Sequence, residues 1–155
     1  MAQEAGPRII VDVAKQQLSW ISPEHPDWVV PVSTSKYGVG CESGSWKTPA
    51  GRFRICEKIG ETAPAWAVFK GRRWTGAMGN PEDETDQVLT RILWLEGLEP
   101  ENANTRDRYV YIHGTNAEER IGTPASIGCV RMRNDDIIQL FPMVSVGTPV
   151  CIVPE

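Results

Sequence analysis

Apolar and polar positions alternate along most of this chain. Ile9, Val11 and Val13 alternate first, and a second run around Trp20 follows a short polar turn, which predicts a hairpin. Further alternating or apolar runs cover 28–32, 52–58, 92–96, 109–113 and 150–152. Alternation with a period of two is typical of half-buried strands. The chain is therefore predicted to be mainly β.

One helical pattern is clear, near the carboxyl end. Asn134 is the predicted N-cap, two acidic residues follow it, and apolar residues recur from Ile137 at helical spacing until Pro142. Many short strands with one principal helix predict two packed sheets in a β-sandwich. The length of 155 residues predicts a single domain spanning 1–155. Pro31 is expected at a sheet edge or a bulge.

The pattern loosens between Gly60 and Val88. Glycines and prolines are frequent there, and Trp66, Phe69 and Trp74 are scattered among them. Long irregular segments in compact domains are often functional, so this segment is predicted to be a loop-rich lid over a cleft. The alternative is a flap whose aromatic side chains are simply buried. Trp46 is a further candidate for lining the cleft.

Composition and charge exclude several classes of function. The net charge of −4 and the absence of a basic cluster interleaved with aromatic residues argue against nucleic-acid binding. No apolar window is long enough to span a membrane, and residues 1–7 lack the features of a signal peptide. A cytoplasmic location is therefore expected, or a periplasmic one if the sequence is trimmed from a longer protein.

The cysteines and histidines do not predict a metal site or a disulfide framework. The four cysteines are sparse, with no C-x-x-C pair, and only His25 and His113 could join them as ligands. His25 is expected in an exposed turn. We predict no metal and no cofactor. Cys56 and Cys151 are expected to be packed thiols, whereas the glycine-rich surroundings of Cys41 predict no particular role.

His113 and Cys129 form a candidate catalytic pair. His113 lies where the strand pattern of 109–113 ends, and Cys129 follows Gly128 in a second loop. A thiol is mostly protonated at neutral pH and needs a base to become a nucleophile, which His113 could supply. Gly128 would allow a substrate carbonyl to approach backbone N–H groups that form an oxyanion hole. An inert, buried cysteine beside an ordinary histidine is the alternative.

The surrounding motifs resemble those of the L,D-transpeptidase (YkuD-domain) family. These are HGT at 113–115, GTPASIGCVRM at 122–132 and KTPAGRF at 47–53. The resemblance implies that Cys129 is the nucleophile, that His113 is the base and that the Gly114 carbonyl orients it. One departure is Ile127, which stands where the family usually has a histidine. We expect packing to hold this loop in place of the missing hydrogen bonds.

The resemblance also implies a substrate and a reaction. The reaction is acyl transfer on a peptidoglycan stem peptide, with cleavage of the L,D bond before the terminal D-Ala through a thioester, and carbapenems are implied inhibitors. The expected compartment favours water as acceptor, hence an L,D-carboxypeptidase of muropeptide recycling; an L,D-transpeptidase and a catalytically silent wall-peptide-binding module are the alternatives. The predicted substrate-binding and oxyanion residues are Gly128, Arg131, Ser126 and Tyr111. Arg131 could bind the substrate carboxylate, or it could have a structural role and pair with a carboxylate such as Asp135 or Asp136.

Overall fold

The computed structural model describes residues 6–154, and the fold is mainly β with one α-helix within that range. The predicted single domain of 1–155 extends beyond the described range at both ends. The bounds of the strands and of the helix are as follows: β1 Arg8–Asp12, β2 Gln17–Ser22, β3 His25–Ser33, β4 Gly51–Ile59, β5 Ala67–Lys70, β6 Arg73–Met78, β7 Val88–Gly97, β8 Tyr111–Thr115, β9 Val130–Met132, α1 Asn134–Leu140 and β10 Pro149–Val153.

The strands form one sheet that closes on itself, so the prediction of a two-sheet sandwich is wrong. The order is β4-β10-β1-β2-β3-β9-β8-β7, and β4 pairs with β7 to close a barrel-like ring. The long strand β7 makes closure possible: its residues from Ile92 to Gly97 pair with β4, while Val88 and Leu89 pair with β5. The mainly β class with one helix was predicted correctly.

The core fills the closed sheet. Alternate residues of the ring strands point inward, as the period-two pattern predicts. Ile137 and Leu140 from α1 are fully buried against them. The largest fully buried side chains of this cluster are Phe53, Ile9, Leu18, Ile55, Leu93, Leu95, Ile112 and Met132. A second, smaller cluster lies where β5 meets β7 and contains Phe69, Trp94 and Tyr111.

The segment 60–88 is more regular than expected. It contains the hairpin β5–β6, and β6 ends the sheet as an edge strand whose residues are all exposed. Phe69 is buried, but Trp74 is 46% exposed, so the expectation that the aromatic residues here are simply buried is wrong for Trp74. Arg72 in the hairpin turn stacks over Trp94 and Tyr109 and therefore ties the flap to the body of the protein.

Three local predictions can be compared directly with the structure. The N-cap of α1 is Arg133, and Asn134 is the first helical residue, so the predicted cap is one residue out. His25 is exposed but begins β3 and is not part of the preceding turn. Pro31 pairs with β2 on one side of β3. On the other side, β9 pairs only with Val32 and Ser33, so Pro31 has no partner in β9.

Candidate active site

The parallel pairing of β8 and β9 brings the two motifs together. Ile112 is level with Val130, so the preceding Cys129 lies beside Tyr111. The Tyr111 N–H donates to Cys129 Sγ at 3.3 Å, and the thiol donates to the Tyr109 carbonyl at 3.5 Å. The sulfur is therefore held at the start of β8, two residues before His113.

His113 is oriented by its neighbour's backbone. The side chain is buried, and Nδ1 lies 2.5 Å from the Gly114 carbonyl oxygen. Because a carbonyl can only accept, Nδ1 carries the proton and Nε2 keeps a lone pair that can accept one. Gly114 cannot be replaced easily, since a Cβ there would overlap the amide oxygen of Asn134 and the Leu89 carbonyl.

Ser126 and Gly128 shape the nucleophile loop. Gly128 has φ of +132°, which favours glycine. The fully buried Ser126 hydroxyl donates to the Cys129 carbonyl at 2.6 Å and accepts the Gly128 N–H at 3.2 Å. Ser126 therefore braces the loop and does not face a substrate, and the Gly128 N–H is directed at Ser126.

Thr48 is a residue whose role the sequence analysis missed. Its hydroxyl donates to the Gly128 carbonyl at 2.9 Å and accepts the Ser35 N–H at 2.9 Å. The side chain is fully buried, so these bonds fasten the nucleophile loop to the loop before β4. The signal was present in the KTPAG motif, but its threonine was noted without a function.

A cleft of about 450 Å³ opens beside Cys129 and His113. Its walls are largely aromatic and apolar, and Trp46, 56% exposed, is one of them, as predicted. The other apolar walls are Val88, Tyr109, Val110, Tyr111 and Ile127. The charged residues at the cleft are Asp86, Asp107 and Arg108. Arg108 donates to the Lys47 carbonyl at 2.7 Å.

Arg131 pairs with a carboxylate, as one of the two expectations held, but the partner is Asp86 and not Asp135 or Asp136. Its guanidinium is buried and lies 2.8 Å from Asp86 Oδ1. Arg131 does not line the catalytic cleft, whereas Arg108 does. Arg108 is therefore the arginine on the cleft wall, and sequence reasoning had not selected it.

Ile127 also differs from expectation. Its side chain is 38% exposed on the cleft wall, so it is not a core residue. The hydrogen bonds of Ser126 and Thr48 hold the loop in addition to any packing of Ile127. The missing histidine consequently alters the cleft surface more than the support of the nucleophile.

Burial sets the protonation of both catalytic candidates. It raises the pKa of the Cys129 thiol to about 12, although the Tyr111 N–H opposes the shift. Burial also lowers the pKa of His113, which nearby Asp86 and the Gly114 carbonyl oppose. The resting pair at neutral pH is therefore a thiol beside a neutral imidazole.

The remaining cysteines show no shared site. Cys41, Cys56 and Cys151 are half-buried, and Cys56 packs on the smaller core cluster. Among residues 6–154, no three His, Cys, Asp or Glu side chains are grouped as ligands for a metal ion. Over the same range, none of the helices has the length and apolar character needed to cross a membrane.

The sequence profile of the YkuD L,D-transpeptidase catalytic domain matches residues 6–152, almost the whole chain. A closed β fold with a cysteine and an oriented histidine at one cleft agrees with that match. The chain belongs to the YkuD L,D-transpeptidase catalytic domain family. This confirms the family predicted from the HGT, GC and KTPAGRF motifs.

Curated relatives match over shorter stretches. A putative L,D-transpeptidase, YqjB of Bacillus subtilis, is 40% identical over 72 residues, which cover 39% of this chain and 41% of the relative. A probable L,D-transpeptidase, ErfK/SrfK of Escherichia coli, is 54% identical over 48 residues, 31% of this chain and 16% of the relative. The matched stretches thus span less than half of these relatives.

Solved structures show the same fold. An L,D-transpeptidase from Mycobacterium smegmatis superposes with a TM-score of 0.63 at 18% identity, covering 96% of this chain and 59% of that one. LdtMt1, solved in complex with imipenem, gives a TM-score of 0.60 at 19% identity, with 96% and 59% covered. At these identities the likeness establishes the fold.

Proposed function

We propose that this protein catalyses cysteine-dependent acyl transfer on peptidoglycan stem peptides, cleaving the L,D bond before a terminal D-Ala through a thioester. The observation that carries the proposal is the placement of Cys129 and the oriented His113 on one cleft. Family membership and the relatives' names as L,D-transpeptidases support the reaction class.

The first step is attack of Cys129 Sγ on the substrate carbonyl. Since the resting thiol is protonated, proton transfer to His113 Nε2 accompanies the attack and no preformed thiolate is needed. The Gly114 carbonyl holds Nδ1 and stabilises the imidazolium that forms. His113 then returns the proton to the leaving amine of D-Ala, and the acyl group remains on sulfur.

The Tyr111 N–H is a candidate oxyanion donor. It lies 3.3 Å from Sγ, so it reaches the region in which the carbonyl oxygen becomes negative. The Gly128 N–H is bonded to the Ser126 hydroxyl, whereas the partner of the Tyr111 N–H is the reacting sulfur itself, so Tyr111 suits that role better. Tyr111 therefore contributes its backbone, while its ring forms part of the cleft wall.

Arg108 is the candidate partner of the substrate carboxylate. The D-Ala leaving group ends in a carboxylate, and a guanidinium binds carboxylates well. Arg108 lines the cleft with Cys129 and is fixed there by the Lys47 carbonyl. Arg131 is already paired with Asp86, so the proposal transfers this role from Arg131 to Arg108.

The open cleft favours water as the acceptor. Trp46, Tyr109 and Ile127 on its walls are 56%, 54% and 38% exposed, so the cleft is open to solvent on that side. Closing a site protects a reactive intermediate from hydrolysis, and an open cleft gives a thioester less of that protection. The favoured activity is therefore an L,D-carboxypeptidase that trims tetrapeptide muropeptides to tripeptides.

Transpeptidation is the second candidate, because the curated relatives carry that name. A silent wall-peptide-binding module is less well supported, since both a thiol and an imidazole with a free Nε2 lone pair are placed at the cleft. The test is incubation of a tetrapeptide muropeptide with and without a large excess of a D-amino acid, followed by mass spectrometry. Tripeptide as the main product in both supports the hydrolase; exchange product points to the transferase, and no product to the silent module.

A further inference from the structure

Asn134 is a fully buried side chain whose hydrogen bonds join three parts of the fold. Its Nδ2 donates to the Thr115 carbonyl at 2.8 Å and to Glu118 Oε2 at 2.9 Å. Its Oδ1 accepts from the Thr90 hydroxyl at 2.5 Å. Its backbone N–H also donates to Glu118 Oε2, at 2.8 Å. The side chain therefore uses both ends of its amide inside the protein.

The same amide packs directly on Gly114. A Cβ at Gly114 would overlap Asn134 Oδ1, so the two residues are in close contact across the end of β8. The Gly114 carbonyl is the acceptor that holds His113 Nδ1, and the next carbonyl, of Thr115, is held by Asn134 Nδ2. Asn134 thus packs against Gly114 and donates to the carbonyl of Thr115, the two residues that follow His113.

Thr90 completes the arrangement in an unusual conformation. It has φ of +76°, which is rare and costly for a β-branched residue. It lies at the irregularity where pairing of β7 with β8 jumps from Leu89 to Ile92. Its hydroxyl accepts the Trp66 N–H at 2.9 Å while donating to Asn134. The bulge therefore turns this hydroxyl toward Asn134.

We propose that Asn134 and Thr90 are positioning residues that fix the Gly114 carbonyl, and through it the tautomer of His113. The inference rests on the proposed function, in which His113 must present an unprotonated Nε2 to Cys129. Neither side chain lines the cleft, so neither touches the substrate. Their contribution is to hold the peptide after His113 in one orientation.

Within residues 6–154, three charged groups act on this network or on His113. Glu118 accepts from Asn134, whereas Asp86 and Arg131 act on His113 itself. The variants below leave all three charges in place. A change in the imidazole can then be assigned to the Gly114 peptide and not to altered electrostatics.

The tautomer can be measured directly by ¹⁵N NMR of the imidazoles. The chain has only two histidines, so exposed His25 serves as an internal reference. The wild-type protein is expected to show His113 protonated on Nδ1. Thr90→Val removes the hydroxyl while keeping the β-branched shape, and Thr90→Ser restores it. Asn134→Ala removes the amide, and Thr90→Val keeps the test available if that variant fails to fold.

Asn102 is the matched control. It is also fully buried, and its Nδ2 donates to the Ala50 and Arg52 carbonyls at 3.2 and 3.1 Å, at β4. Asn102→Ala should lose stability but keep the His113 tautomer. Thr90→Val and Asn134→Ala should shift His113 toward the Nε2–H tautomer. They should also lower kcat by about 10²-fold with little change in KM, as expected for a misplaced base.

The outcomes separate this inference from the proposed function. An unchanged Nδ1–H tautomer in folded Thr90→Val and Asn134→Ala would overturn the positioning role, whatever the activity. The same shift in Asn102→Ala would overturn it too, since it would reflect general loosening. A wild-type protein with the Nδ1–H tautomer but no turnover would contradict only the proposed function.

Discussion

Asp86 and Arg131 form a salt bridge of 2.8 Å behind the catalytic pair, although 45 positions separate them along the chain. The Arg131 side chain is 7% exposed and that of Asp86 is 23% exposed. The pair joins the loop before β7 to β9, which carries Cys129 at its entrance. Asp86 also raises the pKa of His113 against the effect of burial.

Asp86→Asn should destabilise the protein because it leaves the buried guanidinium of Arg131 without a counter-charge. The expected loss in the free energy of unfolding is about 3 kcal/mol. Urea denaturation measures it, with Asp135→Asn as the control, since Asp135 is exposed and unpaired with Arg131. Equal losses in the two variants would show that the salt bridge contributes nothing particular.

Cys129→Ala should abolish turnover with little change in fold, because Cys129 supplies the one sulfur that lines the cleft among residues 6–154. The Ala variants of Cys41, Cys56 and Cys151 should stay active. Intact-mass spectrometry after incubation with a carbapenem should show an adduct on the wild type and none on Cys129→Ala. Turnover by Cys129→Ala would rule out the thioester mechanism.

The pH dependence of activity should follow from the neutral resting pair. His113 must be unprotonated to act as a base, and burial lowers its pKa from the ordinary 6.5, so activity should persist below pH 6.5 before it falls. The Cys129 thiol has a pKa raised to about 12, so alkylation by iodoacetamide should rise steadily with pH through 9. A plateau of alkylation near pH 7 would instead indicate a preformed thiolate.

Replacing His113 by Asn should lower the rate of muropeptide turnover by about 10²–10⁴-fold.

The same shifts predict how stability depends on pH. The folded-state pKa of His113 is lowered, so the unfolded chain binds a proton at a higher pH than the folded protein does. Stability should therefore be lost as the pH falls from 6.5 toward the folded-state pKa. The folded-state pKa of Cys129 is raised, so stability should be lost as pH rises from 9.0 toward about 12. Urea denaturation of wild type and His113→Asn between pH 7.5 and 5 tests the acid side, with His25→Asn as the control.

Ile127→His should be tolerated, because the side chain is partly exposed on the cleft wall. The change in the free energy of unfolding should stay within about 0.5 kcal/mol. Thermal denaturation and muropeptide turnover are the measurements. A natural protein that is inactive on every wall peptide and gains activity with Ile127→His would favour the silent binding module.

Arg108→Ala should raise KM for peptides that end in a free carboxylate more than it lowers kcat, if Arg108 binds that group. Amidation of the terminal carboxylate should remove the difference between wild type and variant. Arg106→Ala is the control, since Arg106 stacks on Trp94 and does not line the cleft. An equal effect on amidated peptides would assign Arg108 a role in holding the loop through the Lys47 carbonyl.

Most strands and the main candidate site residues could be predicted from the sequence. Alternation identified most strands, and the HGT and GC motifs identified His113, Gly114 and Cys129, because strand periodicity and glycine-dependent turns are encoded within a few neighbouring residues. Regular strand structure in the flap was missed, since glycines and prolines there obscure the alternation of β5 and β6. The N-cap of α1 was one residue out, because Asn134 is a good cap by composition yet uses its side chain inside the protein.

Only the tertiary structure decided how distant segments meet. Closure of the sheet depends on β4 pairing with β7, and neither strand carries a local signal for its partner. Arg131 pairs with Asp86, which is distant along the chain, and not with the nearby acids of α1. Thr90 adopts a positive φ against its own preference, since the surrounding contacts with Asn134 and Trp66 stabilise it. Sequence alone thus selected the candidate reacting groups, whereas long-range packing determined what holds and surrounds them.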